Sequence, residues 1–160
     1  MAVDMFLELE GIKGESIDAV HKDKIDLLSW SWGMSQSGTT HMGPGSGAGK
    51  VNVQDISFTH YVDASTPVLM QKCCQGTHIP TGKIIVRKAG DKPLEYIVIE
   101  LKDIIISSIS SGGSGGEERL TENVTVNLAE FKYIYTSQTK EGGSGTAPEC
   151  AWNIPENQAK

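Results

Sequence analysis

Val3-Asp4-Met5-Phe6-Leu7-Glu8-Leu9-Glu10 sets apolar side chains at its odd positions and mainly acidic ones at its even positions. Successive side chains of a strand point to opposite faces, so this period of two predicts a strand buried on one side only. The pattern recurs. Between Ile25 and Ser37, Leu28, Trp30 and Trp32 fall on one face, and Ser29, Ser31, Gly33 and Ser35 on the other. One face is heavy and aromatic, the other small and hydroxylic. Val51 to Val62 reads as a third strand with Ile56, Phe58, His60 and Val62 to one side. Gly82 to Ala89 and Leu94 to Ile109 suit a hairpin around Gly90-Asp91-Lys92-Pro93. Val124-Thr125-Val126-Asn127-Leu128 alternates and runs on to Tyr135, and Cys150 to Ile154 is expected to close the sheet.

One segment departs from the period of two. Ser65 is a suitable helix cap, Pro67 sits near the first turn, and Gly76 suits the C-terminal stop. Between them Leu69 with Cys73, and Met70 with Cys74, stand at the i,i+4 spacing of a short amphipathic helix. Strands throughout with one helix predict a mainly β domain, either a barrel or a two-sheet sandwich, whose helix covers an opening or an edge.

The 160 residues suit one domain, with 38% hydrophobic and 21% charged residues. The 18 glycines cluster in three polar segments, Ser37 to Lys50, Ser110 to Gly116 and Glu141 to Pro148. The first is long for a loop in a compact domain, which marks it for function or disorder. The third, near the C-terminus, is expected to be mobile. A net charge of −6 and the scattering of the basic residues argue against nucleic acid as a partner. The N-terminus has no basic region ahead of an apolar stretch, and no apolar run is long enough to span a bilayer. The chain is therefore expected to fold in the cytoplasm and, if it leaves the cell, to need no cleaved leader.

Motifs for chemistry fail on their residues. Gly43-Pro44-Gly45-Ser46-Gly47-Ala48-Gly49-Lys50 resembles a phosphate-binding loop, but Pro44 stands where its first glycine belongs and Val51 replaces the magnesium-binding hydroxyl. A β-type segment follows it, not a helix. No serine lies in a nucleophile elbow. Cys73, Cys74 and Cys150 form no disulfide framework and read as free buried thiols, with Cys74 on the apolar side of the helix. His21, His41, His60 and His78 are widely separated and show no metal-ligand spacing. No enzyme activity, cofactor or metal is expected.

Several ordered blocks resemble the haemolysin-coregulated protein (Hcp) family of type VI secretion systems. They are Met1 to Leu7, Leu28 to Gly38, Gly49 to Asp55, Ser65-Thr66-Pro67, Arg87 to Gly90, Ser111 to Gly116, Leu120 to Val124 and the late Trp152-Asn153-Ile154. The resemblance implies a β-barrel of two packed antiparallel sheets flanked by one α-helix, spanning residues 1–160. It implies a homo-hexameric ring, and stacked rings forming a hollow tube inside a contractile sheath, exported with a spike protein at its tip. Small effector proteins would ride in the lumen. Ser31, with Ser29 beside it, would face that lumen. The loop Gly38-Thr39-Thr40-His41-Met42-Gly43-Pro44-Gly45-Ser46-Gly47-Ala48-Gly49 would reach the neighbouring ring. A prophage tail tube, a secreted hydrolase or toxin, and a ligand-binding barrel stand as alternatives. The heavy Trp30 and Trp32 face argues for a filled interior against the last.

Overall fold

The computed structural model describes residues 3–37, 49–90 and 93–160. Its strands are β1 (Val3–Leu9), β2 (Ile25–Ser31), β3 (Met34–Ser35), β4 (Asn52–Val53), β5 (Ile56–Tyr61), β6 (Ile79–Lys88), β7 (Leu94–Ser111), β8 (Thr121–Tyr135), β9 (Glu149–Asn153) and β10 (Gln158–Ala159). Helix α1 (Ser65–Gln75) lies between β5 and β6. The main sheet runs β10-β9-β8-β5-β2-β1-β6-β7, and β7 pairs back onto β8, which closes a barrel. All of its pairings are antiparallel.

Strand length decides this architecture. β7, 18 residues long, pairs β8 along most of its length but β6 only up to Ile104. β2 pairs β1 at Ile25 and Asp26, then β5 from Leu27 onward. The barrel therefore has two facing walls: β1-β6-β7-β8-β9 on one side, and the later parts of β2 and β7 with β5 and early β8 on the other. The corner in β7 falls at Asp103, whose φ of 55° is the left-handed backbone that a short polar side chain tolerates.

The core joins both walls through Leu7, Ile25, Ile56, Leu69, Ile84, Ile99, Leu101, Ile104, Val124 and Val126. Trp30 and Trp32 pack against it, and Trp32 meets Phe131 edge-on at 4.7 Å between ring centroids. The expected filled interior is therefore observed. Leu28 does not join the tryptophans. A bulge between Leu27 and Ser29 shifts the register, so Ile25 and Leu27 point in before it, Trp30 points in after it, and Leu28 is turned out at 41% exposure. Val62, beyond the end of β5, is likewise exposed rather than in line with His60.

β1 departs from simple alternation because Phe6, on its even face, is also buried. The segment after β1 folds back over it. His21 lies 4.7 Å from the Phe6 ring, and the Arg87 guanidinium sits above that ring at 5.1 Å. Arg87 donates to Asp18 Oδ1 at 2.6 Å and Oδ2 at 3.1 Å, and to Asp4 at 3.1 Å. The hydrogen bonds from Arg87, with help from the His21 and Val20 amides, hold the Asp18 carboxyl well below the usual aspartate range, against the opposing effect of burial.

Helix α1 begins differently from the expectation. Ser65 is its first residue, and the capping oxygen belongs to Asp63, which accepts the Ser65 amide at 2.8 Å and the Ser65 hydroxyl. Gly76, at φ 62°, ends the helix by donating to Cys73, while the Thr77 amide donates to Lys72. Leu69 anchors the helix, whereas Met70 and Cys74 are exposed, so Cys74 does not lie on a buried face. Cys150 is exposed too, against the expectation of buried thiols, and all three cysteines are free.

Candidate lumen face and stacking surface

The wall formed by β2, β5, β8 and β7 turns Leu27, Ile56, Phe58, Val124, Val126, Ile104 and Ile106 into the core. Period-two geometry then sends the alternate residues outward. The registers align these into two transverse rows. Ser31 stands opposite Ser57, Ser57 opposite Thr125, and Thr125 opposite Ser108. In the next row Ser29 faces Thr59, Thr59 faces Asn123, and Asn123 faces Ser110. Each strand supplies one small, uncharged polar side chain to each row.

Four of these eight groups are bonded in pairs across the strands. Thr59 donates to Asn123 at 2.6 Å, and the Thr125 hydroxyl meets Ser107 at 2.7 Å and Ser108 at 2.6 Å. Ser107 sits at a second bulge, between Ile106 and Ser108, which lets two serines reach one threonine. Asp55 brings a negative charge to the margin of this face. Its two oxygens accept from Ser107 at 2.6 Å and Asn127 at 2.9 Å. Such a wall offers only small neutral groups at its surface, so it can touch a polypeptide without gripping it.

Both sides of this wall end in strand edges. Beyond Ile104, β7 has no strand partner on its β6 side among the described residues, although α1 packs against it. From Leu27 to Ser31, β2 has no strand partner on its β1 side among the described residues. The wall is β2-β5-β8-β7 with antiparallel neighbours throughout. Setting the β7 edge of one copy beside the β2 edge of another would therefore preserve the antiparallel alternation.

Of the residues expected from sequence, Ser29 and Ser31 are exposed in the paired rows. In the expected stacking loop, Gly38 to Ala48 lie outside the described residues, and Gly49 is described. Below the loop, β3 and β4 form a two-strand ribbon with Met34 opposite Val53. The Trp32 indole donates to the Gln54 carbonyl at 2.8 Å, tying the ribbon to the core. At Gly49 an added Cβ would collide with the Ser37 hydroxyl, so the two ends of the loop meet side by side.

Sequence reading missed the partners of the histidines. His21 meets Glu95 at 2.6 Å and His78 meets Asp103. His60 and Glu122 are both wholly buried, with Nε2 at 2.7 Å from Oε1. That approach is off the N–H axis, so neither ring nitrogen of His60 makes a hydrogen bond, and Glu122 Oε2 is also unsatisfied. The Thr66 hydroxyl donates to Glu122 Oε1 at 2.7 Å, which fastens the first turn of α1 to β8. These pairs bridge 25 to 74 positions of chain, from His78–Asp103 at 25 and His60–Glu122 at 62 to His21–Glu95 at 74, and only the strand registers reveal them.

Residues 6–135 match the family described as "Type VI secretion system effector, Hcp". The chain belongs to the Hcp family. It is 55% identical over 159 residues to Protein hcp1 of Pseudomonas aeruginosa, covering 98% of each chain. Among solved structures it is similar to Hcp1 from Salmonella typhimurium, with a TM-score of 0.82, 36% identity and 100% of both chains covered. It also superimposes on a structure described as a type six secretion system protein, at a TM-score of 0.92 and 27% identity, over 99% of this chain and 100% of that one. The Hcp fold and the type VI secretion role implied by the sequence blocks are thus observed. No helix among the described residues is long and apolar enough to cross a membrane. Ser57, Thr59, Asn123, Thr125, Ser107 and Ser108 join the serines singled out from sequence. Their signal was present, since polar residues alternate with the buried Ile56, Phe58, Val124 and Val126.

Proposed function

We propose that this Hcp family member is the repeating subunit of the secretion tube. Six copies close a ring, rings stack into a hollow tube, and the two hydroxyl rows line the lumen. The observation that carries this reading is the wall β2-β5-β8-β7, which has small neutral outward side chains and a free strand edge on each side. A subunit that repeats β2 against β7 makes a heterologous contact, the kind that closes into a ring when the rotation fits. The residues on the lumen side are then Ser29 and Ser31 with their row partners. Small effector proteins would be held there by many weak polar contacts.

The loop Gly38 to Gly49, which joins β3 to β4 in sequence, is assigned by this reading to contacts between rings. Contractile sheath and spike protein complete the reading. The subunit acts as a carrier, with no catalytic step of its own.

Native mass spectrometry together with negative-stain imaging tests the proposal. Rings of six copies with an open centre are expected, and a monomer that persists at high concentration would overturn it. Ser31→Tyr should leave the ring mass unchanged while reducing effector binding in a pull-down. Loss of rings in that variant would move Ser31 from the lumen to an interface.

A further inference from the structure

The segment between β1 and β2 presents two apolar side chains at a clamped tip. Ile17 is 96% exposed and Val20 71%. Between them Asp18 is gripped by the Arg87 fork and accepts the Val20 and His21 amides at 3.0 Å each. His21 is buried against Phe6 and tied to Glu95. At the base, the Gly14 amide donates to Asp23 and the Asp23 amide to Ser16, both at 2.8 Å. The tip is thus held from below by charge and hydrogen bonds while its branched side chains face water. Little further ordering is needed for it to bind, and ordering is a main cost of association.

The chain also carries an apolar groove of about 350 Å³ between the β3–β4 ribbon and β9. Met34, Val51, Val53, Phe131, Cys150 and Trp152 line it. A cavity of roughly 150 Å³ accommodates a benzene-sized group, so this groove has room for two branched aliphatic side chains. Tip and groove share no residue. A single head-to-tail contact can therefore use the tip of one copy and the groove of the next, leaving one of each free for the following copy. Gln36 and Gly49, described residues on either side of the proposed stacking loop in sequence, border the groove.

We propose that Ile17 and Val20 of one copy seat in the Met34–Val53–Trp152 groove of a copy in the adjacent ring, forming an apolar stacking contact. This rests on the tube reading above. Cys150 already lies in the groove, which makes a direct test available. In a Cys73→Ser, Cys74→Ser background, Val20→Cys is oxidised with diamide and run on a non-reducing gel, with ring mass followed in parallel.

The expected result is a covalent ladder that continues beyond the copy number of one ring and vanishes when Cys150→Ser is added. A ladder that stops at one ring would put the contact within the ring and overturn the assignment. Intact rings without any ladder would overturn the contact while sparing the tube reading. Absence of rings in the wild-type protein would instead remove the reading on which it rests. As a second arm, Ile17→Asp with Val20→Asp should leave ring mass unchanged and weaken stacking by more than about tenfold. Undiminished stacking would refute the contact.

Discussion

Glu122→Ala tests the buried pair that fastens α1 to the barrel. Glu122 and His60 are both 0% exposed; the Thr66 hydroxyl donates to Glu122, and Asp63 lies 3.9 Å from His60 Nδ1. Removing one member of a buried polar pair leaves the other unsatisfied in a low dielectric, at about 1–3 kcal/mol. Losing the acceptor for the Thr66 hydroxyl adds about 1 kcal/mol. The variant should therefore be destabilised by about 2–4 kcal/mol, a substantial part of an ordinary domain's stability.

The same geometry predicts an asymmetry. Neither ring nitrogen of His60 is hydrogen-bonded and Glu122 Oε2 has no partner, so the intact pair is poorly compensated. A His60→Leu, Glu122→Met double variant, which keeps the core filled, should fall within about 1 kcal/mol of wild type or exceed it. Urea unfolding at fixed protein concentration, with unchanged slope, measures all three, since ring assembly would otherwise add a concentration term. A Glu122→Ala loss below about 1 kcal/mol would refute the reasoning. So would a double variant as unstable as the sum of its singles, since that would show no coupling across the 2.7 Å contact.

Gly82→Val should be destabilised by about 1–3 kcal/mol in thermal or urea unfolding, by overpacking. A Cβ there would lie 2.7 Å from Ile104 Cδ1, 2.9 Å from Leu9 Cδ2 and 3.1 Å from the Glu8 carbonyl oxygen. Asp18→Asn should lower Tm at neutral pH by removing the charged fork to Arg87. Because the folded carboxyl is held below its unfolded value, its contribution is fully present above about pH 3.9 and is lost only as pH falls through the depressed folded value. The Tm gap between wild type and Asp18→Asn should therefore stay constant from pH 7 to pH 5 and close only in strong acid. A gap that closes near neutral pH would contradict the Asp18–Arg87 assignment.

The strands were legible because burial on one face imposes a period of two on any sequence that forms them. β1, β6, β7, β8 and β9 therefore fall close to their expected positions. Glycine and proline punctuation likewise located α1 within a residue at each end, although its N-cap position is Ala64 and the oxygen accepting the Ser65 amide belongs to Asp63. The alternation also singled out Ser29 and Ser31. Their six row partners and neighbours carry the same pattern but belong to strands far away in the chain.

Two kinds of information were absent from the local pattern. The first is register. A bulge adds one residue without changing composition, so Leu28 looks like a neighbour of Trp30 in sequence yet faces the other way in the barrel. The second is long-range partnership. Nothing near His60 names Glu122, and nothing near Asp18 names Arg87, because each pair is created by strand order.

By itself the sequence determined a mainly β chain with one short helix, a hydroxylic face on β2 and, through its ordered blocks, membership of the Hcp family. Only the tertiary structure decided which strands carry that face across the wall, where the sheet edges stay open, and which charges are buried together. The physical reason is that periodicity reports how one strand meets a core, whereas rows, edges and ion pairs depend on how strands meet one another.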